Sequence, residues 1–117
     1  MEPDWARSNW QSYCVRLPAG VDQKSVMNDM LQDDVATRRG IMCIHREPAY
    51  AEESCPWPLS ESEAAQDGCI LLPLFAQMTE AEQDTVIASL KGAIAKQANS
   101  DHLSSKSASQ QSPVNAA

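Results

Sequence analysis

From Trp10 to Leu17 the chain reads WQSYCVRL, with apolar and polar positions alternating. Tyr13, Val15 and Leu17 share one face, and Ser12, Cys14 and Arg16 the other, the period of a half-buried strand. Pro18-Ala19-Gly20 ends it. The period then changes to that of a helix. Asp22 is placed to cap it, and Val21 and Val26 flank the cap as a hydrophobic staple requires. Val26, Met27, Met30 and Leu31 form the apolar stripe. Asp33 and Asp34 put negative charge where the helix dipole disfavours it, so the helix is expected to stop there.

A second strand is expected over about residues 36–44, where Arg38 and Arg39 precede the run Gly40-Ile41-Met42-Cys43-Ile44. Pro48, Pro56 and Pro58 make 45–59 a long loop. Ser60-x-x-Glu63 reads as a capping box opening a short helix that Gly68 would stop. Cys69-Ile-Leu-Leu72 is a short apolar strand ended by Pro73. Thr79-x-x-Glu82 opens a last helix with Val86, Ile87, Leu90 and Ile94 on one face, reaching about Lys96. From Gln97 the chain turns to Ser, Gln, Asn and Ala, too poor in large apolar groups to offset ordering entropy. A domain over 1–97 and a disordered tail over 98–117 follow. The element order β-α-β-loop-α-β-α implies an α+β fold, with helices on one face of a short, largely antiparallel sheet.

The 117 residues suffice for one small domain with a thin stability margin. A net charge of −7 disfavours nucleic acid and anionic membrane as partners. No apolar run approaches the ~20 residues that span a bilayer. The acidic start Met1-Glu2-Pro3-Asp4 has no signal-peptide character, so the protein is expected to be cytoplasmic. Cys14, Cys43, Cys55 and Cys69 form no C-x-x-C pair and read as free thiols. A zinc site from Cys43, His45, Cys55 and Cys69 lacks the paired spacing such sites use, and no metal is expected.

Charged and polar groups crowd around the apolar run at 40–44, with Arg38 and Arg39 before it and His45, Arg46 and Glu47 after it. A packed core needs none of them. The segments His45-x-x-Pro48-x-Tyr50, Pro58-x-x-Glu61, Leu72-Pro73-Leu74-Phe75 and Met78-Thr79-x-x-Glu82-Gln83 follow in order. With SNWQSYCVRLP and VDQKSVMNDML, they resemble the C-terminal small domain of DegT/StrS-type sugar aminotransferases, fold-type I enzymes that use PLP. The resemblance runs from about Ser8 to Ile94 and departs at Asp34, where such sequences usually have glycine.

The resemblance implies a part of an enzyme that moves an amino group, usually from glutamate, onto a nucleotide-linked keto-sugar in polysaccharide biosynthesis. The lysine that carries PLP, the aspartate facing its pyridine nitrogen and most phosphate contacts would lie in a large domain, on the same or a separate chain. Family members are homodimers. Lys24, Lys91 and Lys96 fall on helix surfaces and Lys106 in the tail, and there is no glycine-rich phosphate loop. No catalytic residue is therefore assigned, and this chain alone is expected to bind no PLP. By the resemblance the loop from His45 to Tyr50 faces the active-site cleft, so His45 and Arg38 become candidate substrate-binding residues, with Arg38 suited to an anionic nucleotide. His45 reads equally as a structural residue bonding a loop carbonyl. Arg39 reads as an exposed or salt-bridging strand residue, Tyr50 as a packing residue, and Leu72, Leu74 and Phe75 as core. A truncated or split aminotransferase, an interaction module and a non-functional fragment are the three readings. The first carries a further expectation of exposed apolar surface around Ile41, Met42, Ile44 and Leu74.

Overall fold

A computed structural model describes residues 3–50, 52 and 56–108. Three strands, β1 (Tyr13–Arg16), β2 (Arg38–Arg39) and β3 (Cys69–Leu72), form one antiparallel sheet in the order β1-β3-β2. The last and most apolar strand takes the centre, where both of its edges are paired and Cys69 and Ile70 are buried. Helix α1 (Gln23–Gln32) packs on the sheet and α3 (Glu80–Ala108) packs against α1. Between β2 and β3 lie two 3-10 turns, Ile44–Arg46 and Pro48–Tyr50, and helix α2 (Ser60–Gly68). The result is the expected α+β arrangement. Leu17, Val26, Met30, Val35, Ile70, Val86 and Ala93 make the core.

Register decides which strand residues face the helices. Val15 pairs with Ile70 and Arg39 with Ile70, so these three share a face. Arg39 Nε reaches Gln23 Oε1 of α1 at 3.3 Å, which marks that face as the helix side. Cys14 and Arg38, both opposite Leu71, lie on the other side. Cys69 is two positions from Leu71 and shares that side. Burial pushes the Cys14 thiol up, and the nearby Cys69 thiol adds to the shift. That is the direction of an unreactive thiol rather than a nucleophilic thiolate.

Both ends of α1 follow local rules. Asp22 accepts the Ser25 N–H at 2.8 Å as the N-cap. At the other end Asp34 N–H donates to Leu31 O and Val35 N–H to Met30 O, with Asp34 at φ 59. These two bonds define a Schellman turn whose left-handed position glycine usually fills. The capping box at α3 is complete: Thr79 N–H donates to Glu82 at 2.7 Å, and Glu82 N–H returns to Thr79 Oγ1 at 3.3 Å.

Other expectations are corrected. β2 is two residues long, because its partner β3 begins at Cys69, immediately after α2; past Gly40 no strand remains to pair with. β1 begins at Tyr13, after Trp10 at φ 52 breaks the extended chain and stacks on the Tyr13 ring. Ser60 caps nothing, since Leu59 holds the cap position of α2 and Glu63 turns toward the 3-10 segment instead. Leu31 and Ile87 are exposed. The buried stripe of α1 runs Gln23, Val26, Met27, Met30, and that of α3 turns on Ser89 and Ala93, small residues that let the helices approach closely. Leu74 and Phe75 are exposed too, because Pro73 carries no N–H to extend the sheet and the chain turns away. Helix α3 continues past Lys96 to Ala108. Once a helix exists each added residue gains a bond without a new nucleus, so a polar sequence can still extend it. Residues 109–117 lie outside the described part.

Gln23 is the buried polar group that joins these parts. Its Nε2 donates to Gln66 O at 2.8 Å and to Cys69 O at 2.6 Å, while Oε1 accepts from Arg39. One side chain of α1 thus holds the end of α2, the start of β3 and the strand β2.

Two stability measurements follow. Asp34→Gly should stabilise the chain by about 0.5–1 kcal/mol, because relief of left-handed strain exceeds the extra unfolded-state entropy of glycine. In a domain of this size that is a rise of a few degrees in thermal midpoint; a fall would mean the aspartate itself holds the turn. Gln23→Met should cost about 1–3 kcal/mol, since it keeps volume but takes the side-chain donor from Gln66 O and leaves Cys69 O with only the Gly40 N–H, whereas Leu31→Ala should stay within about 0.5 kcal/mol. Equal losses in the two variants would contradict the role given to Gln23.

Candidate cleft site

The segment after Gly40 is held by one face of α2. Ser62, Glu63, Gln66 and Asp67 recur at helical spacing and meet residues 43–46. The Gln66 Oε1 accepts the Cys43 N–H, and Cys43 Sγ donates to Ser62 O at 3.2 Å. His45 Nε2 lies 2.8 Å from Glu63 Oε1. Arg46 donates to both Asp67 oxygens at 2.8 and 2.9 Å and approaches Glu63 Oε2 at 3.2 Å. Every side chain from Cys43 to Arg46 except Ile44 therefore has a partner on α2. Ile44 points away and is exposed.

This segment forms one wall of a cleft of about 740 Å³, lined by Ile41, Met42, Ile44, His45, Tyr50 and Leu59 among others. The lining is mostly apolar. Ile41, at 89% exposed, and Met42 and Ile44, each exposed by about two-thirds, lie uncovered on it, and Trp57 is exposed as well. The expectation of exposed apolar surface at Ile41, Met42, Ile44 and Leu74 matches this distribution. Tyr50, expected to pack, is instead exposed on the cleft rim.

The two sequence candidates occupy different places. His45 belongs to the cleft wall, with its side chain 23% exposed. Arg38 stands exposed on the sheet face away from α1, at a separate hollow with Gln11, Ser12 and Leu71. Arg39, not favoured for binding, is tied to Gln23. Lys24, Lys91 and Lys96 are exposed, and Lys96 approaches Asp29 at 3.8 Å. None of these three sits in a desolvated pocket that could carry PLP, so these three do not fit that cofactor. Among the described residues there is no group of three or more His, Cys, Asp or Glu placed for a metal ion, and no helix long and apolar enough to cross a membrane. Cys55, one of the zinc candidates, lies outside the described residues.

Sequence reasoning missed Glu63, Gln66 and Asp67. The signal was present in Ser62-Glu63-x-x-Gln66-Asp67, a polar face too regular for a helix whose opposite side has little core to cover.

Electrostatics gives a pH signature. The hydrogen bond from His45, aided by Arg46, holds the Glu63 carboxyl below the usual carboxylate range against a smaller opposing effect of desolvation. A depressed carboxylate stabilises the fold above the unfolded value of about 4.3 and loses that effect as pH falls through its lower folded value. The stability gap between wild type and Glu63→Gln, followed by urea unfolding, should be level above about pH 5 and shrink below about pH 4. A gap that stays constant through the acid range would show that the carboxylate charge contributes nothing.

The comparisons with known proteins agree with this fold. Residues 1–91 match the DegT/DnrJ/EryC1/StrS aminotransferase family. The aminotransferase TlmJ from Streptoalloteichus hindustanus shares the fold at a TM-score of 0.68 and 23% identity, over 80% of this chain and 25% of that one. The PMP form of Streptococcus pneumoniae Spr1654, described by name as a sugar aminotransferase, gives 0.62 and 17%, over 74% of this chain and 22% of its own. The chain thus corresponds to about a quarter of the length of these solved structures. With more than half of its residues matched, the chain belongs to the DegT/DnrJ/EryC1/StrS aminotransferase family.

Proposed function

We propose that this chain is the C-terminal small-domain part of a PLP-dependent aminotransferase acting on nucleotide-linked keto-sugars, and that it works only with a large cofactor-binding domain supplied on the same or another chain. The observation that carries the reading is the family match over 1–91 in a chain that covers only about a quarter of its solved relatives. The uncovered apolar residues Ile41, Met42, Ile44 and Trp57 support it, since a domain separated from its neighbour exposes the surface the neighbour would cover. In this reading the chain supplies one wall of the active-site cleft. His45 contacts the sugar-nucleotide substrate, and Arg38 offers an exposed guanidinium to its anionic portion. Enclosing the substrate and excluding water are the chain's tasks; amino transfer belongs to the cofactor and the large domain.

The same apolar surface also suits a second reading, an interaction module without catalysis, and the two differ in chemistry. PLP supplies the electron sink for amino transfer when an enzyme binds it through a desolvated, positioned lysine. Titrating the purified chain with PLP should give only weak absorbance changes spread over several lysines and no conversion in the presence of glutamate. A one-to-one band abolished by replacing a single lysine would overturn the claim that the chain needs a partner domain. Adding a family large domain should restore cofactor-dependent turnover; if the two bind and no turnover follows, the interaction-module reading gains over the proposed one.

A further inference from the structure

The pairing of His45 with Glu63 has a consequence for what the cleft can recognise. Nε2 of His45 lies 2.8 Å from Glu63 Oε1. The other carboxylate oxygen is held by Arg46 at 3.2 Å. An ionised carboxylate only accepts hydrogen bonds, so a neutral imidazole bonded to it must carry its single proton on Nε2. The second ring nitrogen, Nδ1, then keeps its lone pair. Among the described residues Glu63 is the one polar partner found for this ring, and His45 belongs to the cleft wall with its side chain partly exposed.

The neighbouring cation contributes no free positive charge. Arg46 is bound by Asp67 through both carboxylate oxygens and by Glu63 through a third contact. The rest of the wall is mostly apolar, with Ile41, Met42, Ile44 and Tyr50. A phosphate oxygen has nothing to bond at an acceptor nitrogen. A hydroxyl does, because it donates to the lone pair.

We infer that Glu63 is a positioning residue that fixes His45 in its Nε2–H form, so that Nδ1 serves the cleft as an acceptor for a hydroxyl donor of the sugar rather than for the nucleotide phosphates. The identity of the ligand rests on the function proposed above; the ring's proton arrangement does not. It separates the two candidate residues by role, leaving the anion to Arg38 and a neutral hydroxyl to His45.

The test is nitrogen-15 NMR of the full labelled chain at about pH 8, above the ordinary imidazole range of about 6.5. Long-range proton–nitrogen correlations of the ring should show the proton on Nε2, with an Nε2–H signal protected from exchange. Glu63→Ala should lose that protected signal, while Asp67→Asn, which removes only the other partner of Arg46, should keep it. A wild-type ring protonated on Nδ1 overturns the inference without any variant having to fold. So does a protected signal that survives Glu63→Ala or is lost equally in Asp67→Asn. Inorganic phosphate should leave the ring resonances in place; a saturable shift would overturn the assignment of a hydroxyl donor. These readings need neither PLP nor a large domain, so failure of the proposed function and failure of this inference are separable.

Discussion

The amide of Gln23 is the interaction on which the arrangement depends. It sits on the first turn of α1, 6% exposed, and satisfies two backbone carbonyls where α2 ends and β3 begins. Buried carbonyls without donors cost more than most single contacts gain, so this side chain fixes where α2 must end relative to the sheet. From there the constraint travels outward. Gln66, whose carbonyl Gln23 holds, uses its own side chain to accept the Cys43 N–H. Two successive glutamines therefore link the core helix to the cleft wall. His45 and Arg46, the next polar side chains along the chain, then meet Glu63 and Asp67 on the same face of α2.

That chain of bonds explains why an apolar run is surrounded by polar residues. Residues 40–46 have almost no strand to pair with, since β3 is consumed by β1 and by two residues of β2. A segment that leaves a sheet must satisfy its backbone elsewhere, and here α2 does so with side chains. Because polar contacts hold the segment down, its apolar residues Ile41, Met42 and Ile44 are left facing outward. In an isolated domain this is a liability. Beside solved structures of which the chain spans about a quarter, it is the kind of exposed apolar surface that marks an interaction site.

What was legible in the sequence was local. Asp22, Thr79 with Glu82, and the aspartates closing α1 act within a few residues of themselves, and each behaves as its spacing implies. The fold class was legible too, because strand and helix periods alternate cleanly. The misplaced helix faces share one cause, that a hydrophobic stripe does not reveal which polar residue will be buried. Gln23 belongs to the inward face of α1 and Ser89 to that of α3, so the stripes rotate and Leu31 and Ile87 emerge. The length of β2 depended on where α2 would abut β3, which no pattern inside residues 36–44 encodes. His45 was visible as a candidate by resemblance, but its partner Glu63 had been given to a capping box that does not form.

The central claim is that the cleft wall is preformed, held by the Gln23–Gln66 link before any partner arrives. Native-state hydrogen exchange at the Cys43 amide tests it most directly, because that N–H has the Gln66 side chain as its acceptor. The account predicts that Cys43 exchanges far more slowly than its exposed neighbours Ile41 and Met42, at a rate approaching that of the core amides of β3. Exchange at Cys43 as fast as at Ile41 and Met42 would show that the segment opens freely and that the wall forms only on assembly.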